Sequence, residues 1–142
     1  MRVDGSFAFV DTNILVYAHD SSAGRKRAVA RELITSLWEH RSGRISVQVL
    51  QELFVVLTTK VATPLDARDA GAVIADLASW SVYVPDAGNV LDAIDLHDRA
   101  QVSFWDAMIV HCAVKAGCAV LYSEDLDDGV TYDGVRVVNP FA

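Results

Sequence analysis

Short apolar runs alternate with stretches of helical period along almost the whole chain, and this alternation constrains the fold more than any other feature. Phe7–Val10, Ile45–Val47, Ser81–Val84 before Pro85, Ala119–Tyr122 and Val135–Val138 read as five short strands. A helix is expected over about residues 23–41, with Ala28, Leu33, Ile34, Leu37 and Trp38 as its inner stripe. A second places Val49, Leu50, Leu53, Phe54 and Leu57 at helical spacing. Thr63-Pro64 reads as an N-cap with proline at the first helical position, opening a third helix that runs to about Ser79. A fourth covers 87–100, and Ser103 caps a fifth from Phe104 to Ala116, closed by Gly117. Strands that alternate with helices predict an α/β architecture: a central, mainly parallel sheet of about five strands with helices on both faces. No repeat, low-complexity tract or linker divides the chain. With 142 residues, 52% of them apolar, one domain spanning 1–142 is expected.

Composition narrows the function classes. The apolar stretch after Met1 is too short for a signal-peptide core, and no later run approaches membrane-spanning length. Two cysteines, Cys112 and Cys118, lie in an apolar segment without metal-ligand spacing, which suits a reduced cytoplasm. A net charge of −7 argues against broad, charge-driven binding to nucleic acid. The charge is uneven, however. Residues 21–50 hold Arg25, Lys26, Arg27, Arg31, Arg41 and Arg44 against Glu32 and Glu39 alone. That segment is a candidate phosphate contact surface, and equally a solvated helix face.

The placement of four acids is more informative. Asp11 directly follows an apolar strand, and Asp125 follows another across a short turn. Glu52 has apolar neighbours on both sides, and Asp106 lies in a helix that is apolar nearly all round and expected to be largely buried. A carboxylate in such surroundings is costly unless paired or bound to a cation, and no Lys or Arg is near any of the four in sequence. In an open parallel sheet the functional crevice lies beyond the carboxyl ends of the strands. Strand ends and the starts of the following helices face that same rim, so the four acids are expected to gather there. Four carboxylates in one place call for a cation between them, and oxygen-only ligands favour Mg²⁺ or Mn²⁺ over Zn²⁺.

Each acid also has a purely structural reading. Ser103 and Asp106 fit a capping-box pattern, Asp11 fits a turn or N-cap, Glu52 a solvent-facing strip, and Asp125 an acidic loop with Glu124, Asp127 and Asp128. Asp98 and His111 lie near the relevant helices and read as a surface acid and a packed histidine.

Phe9-Val10-Asp11-Thr12-Asn13-Ile14-Leu15, Val49-Leu50-Gln51-Glu52-Leu53, Phe104-Trp105-Asp106-Ala107-Met108-Ile109 and Leu121-Tyr122-Ser123-Glu124-Asp125-Leu126 follow one another in order, with Asn139-Pro140-Phe141 at the end. This ordered set resembles the PIN-domain family of metal-dependent ribonucleases, and in particular its small VapC-type toxins. The resemblance implies a PIN-like three-layer fold and an acidic pocket for one or two Mg²⁺ or Mn²⁺ ions. It makes Asp11, Glu52, Asp106 and Asp125 the metal-site and catalytic acids, with Thr12 and Ser123 as supporting hydroxyls. Asn13 would brace the first turn, and Asp127 and Asp128 have no firm counterpart. The implied reaction is hydrolysis of an RNA phosphodiester that leaves a 5′-phosphate and a 3′-hydroxyl. The implied setting is a cytoplasmic toxin of a toxin–antitoxin pair: a homodimer, with no membrane association, whose acidic pocket a small antitoxin blocks. Leu53, Phe54 and Leu57 then belong either to the partner groove or to the core.

Three other readings compete. A degenerate relative would keep the fold as a non-catalytic binding module. A phosphatase or phosphoacceptor would use Asp11 as nucleophile, but such proteins generally carry a second Asp two positions on, where this chain has Asn13. A housekeeping RNA-processing nuclease would share the chemistry and differ in its biology.

Overall fold

The computed structural model of the protein describes residues 6–142. Strand β1 (Phe7–Val10) leads into helix α1 (Thr12–His19) and helix α2 (Arg25–Glu39). Then follow β2 (Gly43–Ser46), α3 (Val47–Thr59), α4 (Ala67–Leu77), β3 (Ser81–Tyr83), α5 (Ala87–Ala100) and α6 (Phe104–Lys115). The described chain finishes with β4 (Cys118–Tyr122), β5 (Thr131–Tyr132) and β6 (Val135–Val138). The sheet runs in the order β3-β2-β1-β4-β6-β5, parallel except for the β5–β6 pair.

That order decides where a site can form. From β1 the chain steps outward to β2 and β3, then returns to lay β4 on the other edge of β1. Successive connections therefore diverge at the β1–β4 seam, and loops leaving the carboxyl ends of these two strands open a crevice between them. Right-handed crossovers put α1–α4 on one face, where α1 packs on α2 and α3, and α3 packs on α4. The α5–α6 pair covers the other face. Between the layers lie fully buried Phe9, Ile14, Leu15, Leu33, Leu37, Ile45, Leu53, Leu57 and Leu121. Leu53 and Leu57 are thus core, while Phe54 is partly exposed.

The structure departs from the sequence reading in several places. On α2, Ala28 and Trp38 of the expected inner stripe are exposed while Ala30 is buried. The other departures each have a local reason. Helix α1 was not expected: its run Ile14-Leu15-Val16-Tyr17 has β-forming residues, but Asp11 in extended conformation accepts a hydrogen bond from the Thr12 N–H and starts the helix. Strand β2 covers Gly43–Ser46, one to two residues earlier than expected, because Val47 already belongs to α3. Helix α4 opens at Ala67 and not at Thr63-Pro64, since the Asp66 side chain accepts from the Asp69 N–H and is the true cap. The sheet gains a sixth strand, β5, through a hairpin whose Asp133-Gly134 corner has positive φ at both residues (48° and 89°). Asp-Gly is a favoured sequence for that two-residue turn.

A further backbone feature closes α2. The Ser42 N–H donates to the Leu37 carbonyl and the Arg41 N–H to the Trp38 carbonyl, forming a Schellman motif with Arg41 in the left-handed position (φ 51°). Glycine is usual there, and a side chain costs roughly 1 kcal/mol.

Candidate functional site

Asp11 emerges from β1 into the crevice between β1 and β4, and it is the most buried carboxylate of the candidate set, 5% exposed. Both of its oxygens are held. The Thr12 N–H donates to Oδ1 (2.7 Å), and the Ser123 hydroxyl donates to Oδ2 (2.8 Å). Ser123, fully buried at the end of β4, also accepts from the Asp125 N–H through its Oγ (3.2 Å). The turn that carries Asp125 is therefore built onto Asp11. Glu52 reaches the same place from α3: the Thr12 hydroxyl donates to Glu52 Oε1 (3.1 Å), and the Gln48 amide donates to the same oxygen (3.3 Å). A cavity of about 290 Å³ opens here, with Thr12, Tyr17, Glu52, Val56 and Asp125 in its wall.

The electrostatics follow from this geometry. Burial, first of all, pushes the Asp11 carboxyl up to about 7, and the charges of Asp125 and Glu52 add to the shift against the hydrogen bonds from Ser123 and Thr12. Asp106 acts elsewhere: its charge and that of Asp127 help raise the Tyr132 phenol, after burial. The start of α6 is still tied to the site, because the Gln48 amide that holds Glu52 also donates to the Trp105 carbonyl (3.4 Å). The Asp106 backbone N–H donates to Ser103 Oγ, so the cap expected at Ser103 is formed, while the Asp106 carboxylate is left free of that role.

The expectation that all four acids lie in apolar, water-poor surroundings is corrected. Asp11 alone is buried; Glu52 and Asp125 are exposed, and Asp106 is half-buried. In α6 the buried residues begin at Ala107, so Asp106 sits just outside the buried stretch that runs to Ala113. Glu52 lies in the second turn of α3, off the stripe formed by the buried Val49, Leu53 and Leu57. Among the described residues, no three His, Cys, Asp or Glu side chains form a ready-made cage for an ion. The structure draws Asp11, Glu52 and Asp125 together and places Asp106 at the start of α6, next to the Trp105 carbonyl that Gln48 holds.

A second set of contacts braces the site from behind. Glu124 accepts from the Tyr17 hydroxyl (2.5 Å) and pairs with Lys26, whose ammonium lies over the Tyr17 and Phe141 rings (4.9 and 5.5 Å to the centroids). The Glu124 N–H donates to Asn13 Oδ1 (3.3 Å), so Asn13 ties the turn after β1 to the turn after β4. Sequence reasoning missed Gln48 and Tyr17 as site neighbours. It read Lys26 as part of a candidate phosphate-contacting segment and Glu124 as part of a solvated acidic loop, where the structure pairs the two. Gln48 was findable, one helical turn before Glu52 on the same face; the others meet only through the fold. Asp98 is exposed, and His111 is buried with its Nε2 against the Asn89 amide (3.1 Å), its pKa lowered by desolvation. Asp127 and Asp128 are exposed, and Asp128 accepts from the Asn139 N–H.

The profile of the PIN domain matches residues 8–128, from the second residue of β1 to beyond the Asp125 turn. The chain belongs to the PIN domain family. Solved structures of similar fold agree with a PIN architecture. VapC20 of Mycobacterium tuberculosis, a toxin that cleaves the sarcin-ricin loop, is 21% identical over 84% of this chain and 89% of its own, with a TM-score of 0.62. A toxin–antitoxin complex from Klebsiella pneumoniae contains a chain 20% identical over 94% of this chain and 97% of its own (TM-score 0.70). FitAB bound to a DNA fragment gives 14% identity over 96% of each chain (TM-score 0.73). No curated protein matches the sequence. At these identities the likeness is one of fold. Among the described residues no helix is long and apolar enough to cross a membrane.

Proposed function

We propose that this PIN-domain protein is a Mg²⁺- or Mn²⁺-dependent endoribonuclease and the toxin of a toxin–antitoxin pair. The observation that carries the proposal is Asp11: a buried carboxylate at the β1–β4 switch point, pushed up to about 7 with Glu52 and Asp125 as its charged neighbours. The charge gathered around it is negative and the donors are all oxygen, which fits a hard divalent cation and suits zinc poorly. Asp11, Glu52, Asp125 and, by a side-chain swing from α6, Asp106 would hold one or two such ions. A cation there supplies activation of water and neutralisation of charge on the phosphate. The chain's own part is positional. Ser123 and the Thr12 amide fix the direction of the Asp11 oxygens, Thr12 Oγ1 aims Glu52, and the buried wall behind Asp11 keeps water off its inner side. Without a cation the acids repel an RNA backbone, which reconciles the net charge of −7 with the proposed substrate.

The proposed antitoxin has a seat next to this pocket. An apolar groove of about 470 Å³ between α3 and α4 is lined by Leu50, Phe54, Val55 and Ile74, and a further depression at Glu52, Val56 and Lys60 runs from it toward the site. A helix-sized apolar segment laid there would end at the carboxylates, where a cationic side chain could cover them. The complex from Klebsiella pneumoniae supports such a partner by likeness of fold. Val90, Leu91 and Ile94, exposed on α5, offer an apolar face for the proposed homodimer.

The deciding experiment is cleavage of labelled RNA by purified protein with Mg²⁺ or Mn²⁺, with and without EDTA, beside Asp11→Asn. Cation-dependent cutting lost in the variant supports the nuclease. A wild-type protein that neither cuts RNA nor binds Mn²⁺ by calorimetry refutes it and favours a non-catalytic binding module.

A further inference from the structure

At the opposite edge of the sheet, where β2 and β3 begin, a second cavity of about 570 Å³ opens between the end of α2 and the α4–β3 turn. That volume lies within the usual range for small-molecule sites. Its wall combines Trp38 and Trp80 with Arg41, Arg44 and one acid, Glu39. Three features mark it as built. The six-membered ring of Trp80 lies flat on Gly43, so close that a Cβ there would stand 2.4 Å from the indole. The two indoles meet edge to face with centroids 5.5 Å apart, and the buried Trp80 N–H has no hydrogen-bond partner among the described residues. The Arg44 guanidinium is held in place over the Phe7 ring, 3.8 Å from its centroid.

Arg41 adds an independent argument. It occupies the left-handed position of the Schellman motif that closes α2, where glycine or asparagine fits without strain. Its side chain is exposed and makes no ion pair among those described, so its guanidinium is free to meet a ligand at the rim of the cavity.

We infer that this cavity is a binding site for a nucleoside monophosphate, its base stacked on the Trp38–Trp80 pair and its phosphate held by Arg41 and Arg44. Aromatic faces accept any nucleobase, and two guanidiniums against one carboxylate leave a net positive wall for a dianion. The site stands apart from the acid crevice, at the amino ends of the strands, and the inference does not depend on the proposed nuclease activity.

The test is calorimetry with adenosine 5′-monophosphate, in EDTA so that the acid crevice repels the phosphate, with tryptophan fluorescence read in parallel. Adenosine, ribose 5-phosphate and inorganic phosphate serve as separate probes. Saturable binding of the monophosphate is expected, tighter than any of the three fragments, with indole quenching. Arg41→Gly is the key variant, because it removes the guanidinium while relieving the backbone. It should fold with unchanged or higher thermal stability, bind the monophosphate at least tenfold more weakly, and bind adenosine as the wild type does. Absence of heat and quenching at millimolar monophosphate overturns the inference, as does wild-type affinity in Arg41→Gly. Unchanged affinity in a well-folded Arg44→Gln variant would remove Arg44 from the site and overturn the two-arginine phosphate seat.

Discussion

Ser123 donates its hydroxyl to Asp11 Oδ2 across 112 positions of sequence, joining the ends of two neighbouring parallel strands at the point where the candidate site opens. The bond is fully buried on the serine side, so it is both a brace of the fold and a means of aiming a carboxylate. Ser123→Ala is expected to lower stability by about 1–2 kcal/mol, because the Asp125 N–H and Asp11 Oδ2 both lose a partner. The same bond holds the Asp11 pKa down, so its loss should move the pH midpoint of Mn²⁺ binding upward. Calorimetric titration across pH 6–9 checks this; an unmoved midpoint with reduced stability would restrict Ser123 to a structural role.

Asp11 itself should make the metal-free protein sensitive to pH. Its folded pKa, about 7, lies above the ordinary value of 3.8, so the folded state favours the proton. Its contribution to stability is complete below about pH 4 and is lost as pH rises through 7. At about 1.4 kcal/mol per unit, with the slope halved at the pKa itself, the loss between pH 5 and 7 is about 2 kcal/mol. His111 works in the opposite sense, since its lowered pKa weakens the fold as pH falls below 6.5. The informative quantity is therefore the difference between wild type and Asp11→Asn. Urea unfolding in EDTA at pH 5 and pH 8 should show the wild type losing more stability on the way up than the variant does.

The brace around Glu124 should behave as a unit. Tyr17→Phe removes the hydroxyl bonded to Glu124 and is expected to cost about 1 kcal/mol. In a Lys26→Met background the same change should cost a different amount, because both partners hold one carboxylate. Additive melting shifts in the double-mutant cycle would show that the two contacts are independent.

Gly43→Ala should destabilise by about 1–3 kcal/mol, since the new methyl would meet the Trp80 ring face on. Trp80→Leu should relieve that clash, so the glycine substitution ought to cost much less in the leucine background. Thermal melts of the four proteins decide it; an equal cost in both backgrounds would place the strain elsewhere.

How much of this was legible in the sequence depends on the range of the interaction that decides each element. Phe7–Val10, the α5 helix and the Ser103-capped α6 follow from local periodicity and capping, and the structure places them within a residue or two of the expected bounds. Helix α1 escaped because its residues favour strands while a long-range partner, Ser123, helps fix the Asp11 that caps it. Strand β5 is two residues long, below what alternation can reveal, and the Asp133-Gly134 turn beside it was not read from the sequence. For the site, the residues after strand ends were readable because topology puts such positions on one rim. Their exposure was not, because apolar neighbours in sequence do not bury a side chain that points off the opposite face of a helix. Glu52 shows this plainly: Leu53 beside it is fully buried while Glu52 is exposed.

The central position of β1 has a consequence for how the molecule comes into being. A growing chain delivers β1, β2 and β3 first, and those three can pair while the other edge of β1 stays bare. Strand β4, with Ser123 and Asp125 just behind it, arrives only after all three of them. Until then Asp11 has one wall of its crevice missing and one of its oxygens unheld. Under the proposed chemistry the acid crevice is therefore complete only once β4 has been laid beside β1.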